Sequence, residues 1–210
     1  LGGGLALPKT YVDDVFSTYL YEGSASAQTI TNGIDLSGEG GMVWLKSRTG
    51  GYNNNLYDTE RGVKKALYSN LNSAEYTENS SIGTFNSNGF AFAGGGDAAF
   101  NTASADFVSW TFRKAPGFFD VVTYTGTGSA RTIAHNLGSV PGMIIVKVYA
   151  GGTDNWFVYH RSLGDQRIKL DKDDASGATA VWNNTAPTSS VFSVGTDGGV
   201  NGSGESYVAY

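Results

Sequence analysis

Residues 124–147 read YTGTGSARTIAHNLGSVPGMIIVK, and residues 21–46 read YEGSASAQTITNGIDLSGEGGMVWLK. Aligned, Tyr21 falls on Tyr124, Gly23 on Gly126, Ser26-Ala27 on Ser129-Ala130 and Thr29-Ile30 on Thr132-Ile133. After a two-residue shift, Gly41-Met42 falls on Gly142-Met143 and Lys46 on Lys147. Further along, NTASADFVSW (101–110) matches NGSGESYVAY (201–210). Ordered matches roughly 100 residues apart are the signature of a duplicated unit. Units of that length suit two small domains better than one large one. The expected organisation is a connector over 1–14, one repeat over 15–115 and a second over 116–210.

Each unit divides into short runs rich in β-branched and aromatic residues, bounded by Gly, Asn and Ser. The first is expected to hold strands at 16–21, 27–31, 42–48, 55–59, 65–69, 81–86, 90–93 and 107–113. The second is expected to hold them at 120–124, 131–135, 143–149, 156–160, 167–171, 179–183, 191–194 and 207–210. Val12, Val15, Phe16 and Tyr19 share a helical face. The helical reading is set aside, because FFDVVTY (118–124) stands at the same place in the second copy. Turn signals about every 8 to 12 residues give the sandwich pattern. The fold class is therefore all-β, as two tandem antiparallel β-sandwich domains related by internal duplication. MIIVKV (143–148) is nearly all apolar, as a strand covered on both faces should be, whereas RIKLD (167–171) alternates, so one face meets water. Ala115-Pro116-Gly117 is a connector too short to let the two domains swing freely.

Composition removes several classes. No apolar run nears the ~20 residues of a spanning helix, so membrane insertion is not expected. The net charge of -5 offers no basic footprint for nucleic acid. There is no cysteine, so packing and not disulfides must hold the cores. No signal-peptide pattern opens the chain. It begins on Leu1 and stops inside the run Tyr207-Val208-Ala209-Tyr210, whereas the first copy continues as Thr111-Phe112-Arg113. A piece of a longer polypeptide is the expectation.

Chemistry-bearing residues are few. Trp156, Tyr159, His160 and Arg161 form a candidate ligand-binding run, with the strand-end polar pair as its competing reading. Asp171, Asp173 and Asp174 form the densest acidic cluster and a candidate Ca²⁺ site, since calcium collects six to eight oxygens from such loops. Their spacing fits no EF-hand, and a solvated turn is the favoured reading. Asp58 and Glu60 stand as a glycosidase needs its acid pair, but the second copy has His160 and Ser162 there. His135 reads as a turn-side imidazole bonded to a backbone carbonyl. GGGD (94–97) lacks the residues of a P-loop. No catalytic residue is assigned and no enzyme is expected. Most of the aromatics, the four tryptophans Trp44, Trp110, Trp156 and Trp182 and many tyrosines among them, are expected in the cores. Exposed aromatics, where they occur, suit the C–H faces of sugar rings.

The segments TIAHNLGSVPGMIIVK, WFVYHRSLG (156–164), WNNTAPTSSVF (182–192) and NGSGESYVAY carry a resemblance. So do GGMVWLKSR (40–48), LYDTERG (56–62), FNSNGFAF (85–92) and SWTFRKAPGFFDVVTYTG (109–126) in the first copy. Together they resemble a tandem repeat found in virion structural proteins of tailed bacteriophages of aquatic bacteria, of tail-fibre or surface-appendage type. That resemblance implies concanavalin-like (jelly-roll) sandwiches at the virion surface, outside the cell. It also implies a homo-oligomer, a trimer by analogy with phage fibres, in contact with other virion proteins and with host surface glycans. The alternatives are a glycan-binding module of another extracellular protein, a capsid or head decoration protein and, less favoured, a polysaccharide depolymerase.

Overall fold

The computed structural model describes residues 10–178 and 180–210. Most of the expected connector, and Thr179 at the head of the expected strand over 179–183, lie outside the described residues. The first elements among the described residues are a single helical turn, α1 (Val12–Val15), and β1 (Phe16–Glu22). Then come β2 (Gln28–Thr31), β3 (Gly41–Ser47), β4 (Asn55–Asp58), β5 (Lys65–Tyr68) and β6 (Tyr76–Thr77). The first half closes with β7 (Ile82–Asn86), β8 (Gly89–Phe92) and β9 (Asp106–Arg113). The second half runs through β10 (Val122–Thr125), β11 (Arg131–Ala134), β12 (Met143–Ala150), β13 (Phe157–His160), β14 (Gln166–Lys169) and β15 (Gly177–Ala178). It ends with β16 (Val191–Val194), the helical turn α2 (Gly198–Asn201) and β17 (Ser206–Ala209).

These strands form antiparallel sheets and no barrel, so the chain is all-β. A six-stranded sheet of order β1-β9-β3-β4-β5-β6 is backed by the three-stranded sheet β2-β8-β7. A second six-stranded sheet, β10-β17-β12-β13-β14-β15, is backed by the pair β11-β16. Registers correspond position by position. Tyr21 lies opposite Phe107 and Tyr124 opposite Tyr207, while Ile30 lies opposite Phe90 and Ile133 opposite Phe192.

Two small features recur at matched places. A Cβ on Gly23 would overlap the Thr102 carbonyl oxygen, and one on Gly126 would overlap that of Gly202. Only glycine permits that approach. Close by, the fully buried Asn101 donates from Nδ2 to Ser26 O at 2.8 Å and Gly95 O at 3.1 Å, and accepts from Ser24 N at 3.0 Å. Asn201 makes the same three bonds to Ser129 O, Gly195 O and Thr127 N. A buried amide must find its partners in the protein, so each asparagine ties three loop segments together.

Period-two alternation then sorts the side chains of the large sheets into three cores. Val43, Leu45, Tyr57 and Phe107 face β2, β7 and β8 and pack with Ile30, Phe90 and Phe92. Val146, Val148, Phe157 and Tyr207 pack likewise with Ile133, Phe192 and Val194. The residues between them point the other way, and there the two large sheets meet back to back. Met42, Leu56 and Leu67 of the first half pack on Val121, Trp156 and Val208 of the second.

Three expectations are corrected. Residues 12–15 do make a helical turn before β1 starts at Phe16, closed by the Asp14 carboxylate accepting from Tyr11 N at 2.7 Å. Residues 180–182 form a 3₁₀ turn and not a strand. Val181 and Trp182 are both buried, whereas neighbours in a strand point to opposite faces, and Asn183 and Asn184 then take positive φ of 53° and 48°. The two-residue strands β6 and β15 carry too little pattern to be seen in the sequence.

Candidate functional site

The expected ligand-binding run does not share a surface. Trp156 is 0 % exposed, with its indole donating to Tyr68 O at 2.9 Å and Leu71 O at 3.0 Å across the sheet-to-sheet junction. Tyr159 points into the second core, edge-on to Trp182. His160 Nδ1 accepts from Ser162 N, and Arg161 is exposed. Trp156 and Tyr159, three residues apart along an extended segment, are thereby divided between two cores.

The acidic residues do not converge either. Asp171 Oδ1 accepts from Trp156 N at 3.0 Å, Asp174 pairs with Lys169 at 2.9 Å, and Asp173 is exposed. Among the described residues, no three His, Asp or Glu side chains gather as a metal ion would require. The Asp58–Glu60 pair is likewise divided. Asp58 is buried at the junction, while Glu60 sits at the surface on Lys114 at 2.7 Å. His135 behaves as its turn suggested, with Nε2 facing Thr188 O at 3.3 Å and Nδ1 accepting from Leu137 N.

What these residues build is the junction. Arg61, its side chain 1 % exposed, donates from Nε to Asp58 Oδ2 at 2.6 Å and from Nη1 to Glu75 at 3.1 Å. Tyr210 reaches over from the second half and donates to the same Asp58 oxygen at 2.6 Å. Burial pushes the Tyr210 hydroxyl well up, so it stays a donor. Burial works against the Arg61 charge, but the Asp58 and Glu75 carboxylates outweigh it and hold the guanidinium above its ordinary value. Lys147 is fully buried and crosses the junction to Asn72 O at 3.0 Å while also reaching Asp154 O at 2.7 Å. Desolvation pulls it down to about 8, against the pull of Asp171 and Asp154. A ladder of rings runs alongside: Phe16 on Phe112, Phe112 on Phe119, Phe119 on Tyr210 and Tyr210 on Trp156, with centroids 4.8 to 6.4 Å apart.

The second half does not cover the whole outer face of the first large sheet. Trp44 and Trp110, directly opposite each other on β3 and β9, are only half-buried and meet edge to face at 6.1 Å. They line an open groove of about 350 Å³ with Lys46, Asn54 and Phe112. It runs past Trp44 and Asn54 into a wider groove of about 620 Å³, walled by Ser69 and Asn70 from the first half and Asp171, Lys172 and Asp173 from the second. The floor is held in place: Trp44 Nε1 donates to Ser69 Oγ at 3.0 Å, Lys46 Nζ to Asn54 Oδ1 at 3.1 Å, and Asn54 N to Asn70 Oδ1 at 2.9 Å. The expectation that Trp110 belongs to a core is thereby corrected, while Trp44 both packs against the junction core and lines the groove. The signal was present in β3, where alternation places Trp44 with Lys46 and opposite to Val43 and Leu45.

Residues 12–210 match a family model described as a domain of unknown function, DUF7483. No curated protein and no solved structure matches the chain.

Proposed function

The chain belongs to the DUF7483 family, and we propose that it is a non-enzymatic structural module of a virion surface, of tail-fibre or appendage type, contributing to attachment to host glycans. The two halves, 15–115 and 116–210, are on this reading duplicated concanavalin-like (jelly-roll) sandwiches. Shared sheet order, matched registers and the twin Gly–Asn ties at Gly23/Asn101 and Gly126/Asn201 support the duplication.

The observation that carries the reading is the junction. Two sheets packed back to back, pinned by a buried Asp58–Arg61–Tyr210 network and by the Trp156 indole, make a stiff unit with no loose hinge between its halves. A surface appendage must hold its shape under mechanical load. Exposed edge strands such as β1 supply unpaired backbone groups for contact between copies, which is why a homo-oligomer, a trimer by analogy with phage fibres, is part of the proposal.

Antibodies raised against the chain test this on intact particles. Labelling of fibres or other surface appendages is the expected result, and purified virions that lack the chain would overturn the reading. Sedimentation at high concentration tests the oligomer separately: a monomer removes the trimer and leaves the rest.

A further inference from the structure

We propose that the Trp44–Trp110 groove is a saccharide-binding site for a short neutral oligosaccharide laid across the junction of the two halves. The inference rests on the attachment reading only for the source of the glycan; the site itself is argued from its lining.

The groove joins two kinds of surface. Its floor offers the apolar rings of Trp44, Trp110 and Phe112, with Trp44 fixed by its bond to Ser69 Oγ. Its walls offer amides, a hydroxyl and charges of both signs, with Lys46 and Lys172 against Asp171 and Asp173. Sugars present the complement, an apolar C–H face on each ring and a rim of hydroxyls. Two donors stand ready, since neither Trp110 Nε1 nor Asn54 Nδ2 has a partner among the described residues. Asn54 is preset, because Lys46 holds its Oδ1 and Asn70 its backbone N–H, which leaves the Nδ2 hydrogens for a ligand oxygen. A site whose polar groups are fixed before binding loses less on ordering.

Other ligand classes fit less well. The balanced charge of the walls gives no electrostatic attraction for a nucleic acid. β3 and β9 are interior strands with both edges paired, so no backbone edge is open to an added peptide strand. The groove is open and rimmed by charge, unlike the enclosed apolar pocket a lipid chain needs.

The second half is part of the site. Lys147 stands at the position of Lys46, and Tyr210 at that of Trp110, but in the second half both are packed into the junction. Among the described residues there is therefore one such groove, on the first half, with the second half's 171–173 segment as its far wall. Asp171 fixes that wall by accepting from Trp156 N.

The test is titration of the purified chain with a panel of neutral hexose and N-acetylhexosamine oligosaccharides, read by tryptophan fluorescence and by NMR. At least one member is expected to bind and to perturb Trp44 and Trp110. Trp110→Ala is expected to weaken it roughly tenfold or more, as the loss of an anchoring ring does. Trp110→Phe, which keeps an aromatic face, should retain most of the binding. Asn54→Ala should weaken it without altering the thermal transition. Trp182→Phe, buried in the second half, should leave it unchanged. Failure of every oligosaccharide to bind overturns the proposal, as does binding that Trp110→Ala and Asn54→Ala both leave intact. Binding that survives those changes places the glycan site elsewhere and leaves the attachment reading standing. A groove that binds sugar in a chain absent from virions does the reverse.

Discussion

Replacing Asp58 by alanine probes the junction at its centre. The carboxylate is 0 % exposed and the Arg61 side chain 1 % exposed, so the pair is shielded from water and salt. Removing Asp58 leaves the guanidinium with Glu75 at 3.1 Å and Leu56 O at 3.4 Å, and takes from Tyr210 its carboxylate acceptor. Breaking a buried pair from one side costs about 3–5 kcal/mol, because a buried charge loses its nearest counter-charge. In a domain of about 150–250 residues, each kcal/mol moves Tm by roughly 2–4 °C. The expected fall is therefore roughly 6–20 °C, provided the halves unfold together. Glu60→Ala is the control, since Lys114–Glu60 has a similar 2.7 Å contact but lies at the surface. Such pairs are worth under about 1 kcal/mol. The double change Asp58→Leu with Arg61→Met removes both charges and should recover much of the loss, because two apolar side chains need no counter-ion. Calorimetry and urea titration followed by Trp156 fluorescence give the numbers. Should Asp58→Ala prove no more costly than Glu60→Ala, the account of the junction given above is refuted.

Trp156→Phe keeps most of the ring but leaves Tyr68 O and Leu71 O without their shared donor. A loss of about 1–3 kcal/mol is expected by urea titration, and a neutral result would show that the indole bond does not pin the halves. Gly23→Ala and Gly126→Ala each drive a methyl into a carbonyl oxygen and should cost similar amounts, roughly 2 kcal/mol or more. A tolerated change at either site refutes the matched geometry. Stability should also rise with pH above about 8. Lys147 is held down to about 8 when folded, while the unfolded chain keeps that proton until its ordinary 10.5. Between those values the unfolded state binds more protons, so the slope is positive, up to about 1.4 kcal/mol per pH unit. Above pH 10 the trend reverses, because burial raises Tyr21, Tyr124 and Tyr210 and the unfolded chain ionises first. Lys147→Met should flatten the rise in pH-dependent melts; an unchanged slope assigns it to other groups.

Strand positions were legible in the sequence wherever a strand is long and interior. Residues 143–150 and 106–113 are found within a residue of the expected 143–149 and 107–113, because runs of β-branched and aromatic side chains must be buried. Residues 180–182 misled for a local reason: two adjacent apolar side chains look like strand, and only the positive φ at Asn183 and Asn184 reveals a turn. For the site, composition could mark Trp44, Trp110 and Trp156 as large apolar groups but could not rank them by exposure. Trp156, read both as a core ring and as part of the ligand run, is fully buried, and Trp44 and Trp110, also expected in the cores, line the groove.

By itself, then, the sequence determined the all-β class, the strand spacing and the matching letters in the two halves, since each follows from side-chain periodicity and turn chemistry close along the chain. Only the tertiary structure decided which outer face is covered. Met42, Leu56 and Leu67 meet Val121, Trp156 and Val208 at separations of 54 residues or more, and no local pattern states which apolar faces will find each other. That one packing choice draws Lys147 and Tyr210 of the second half into the junction and leaves Lys46 and Trp110 facing the groove in the first.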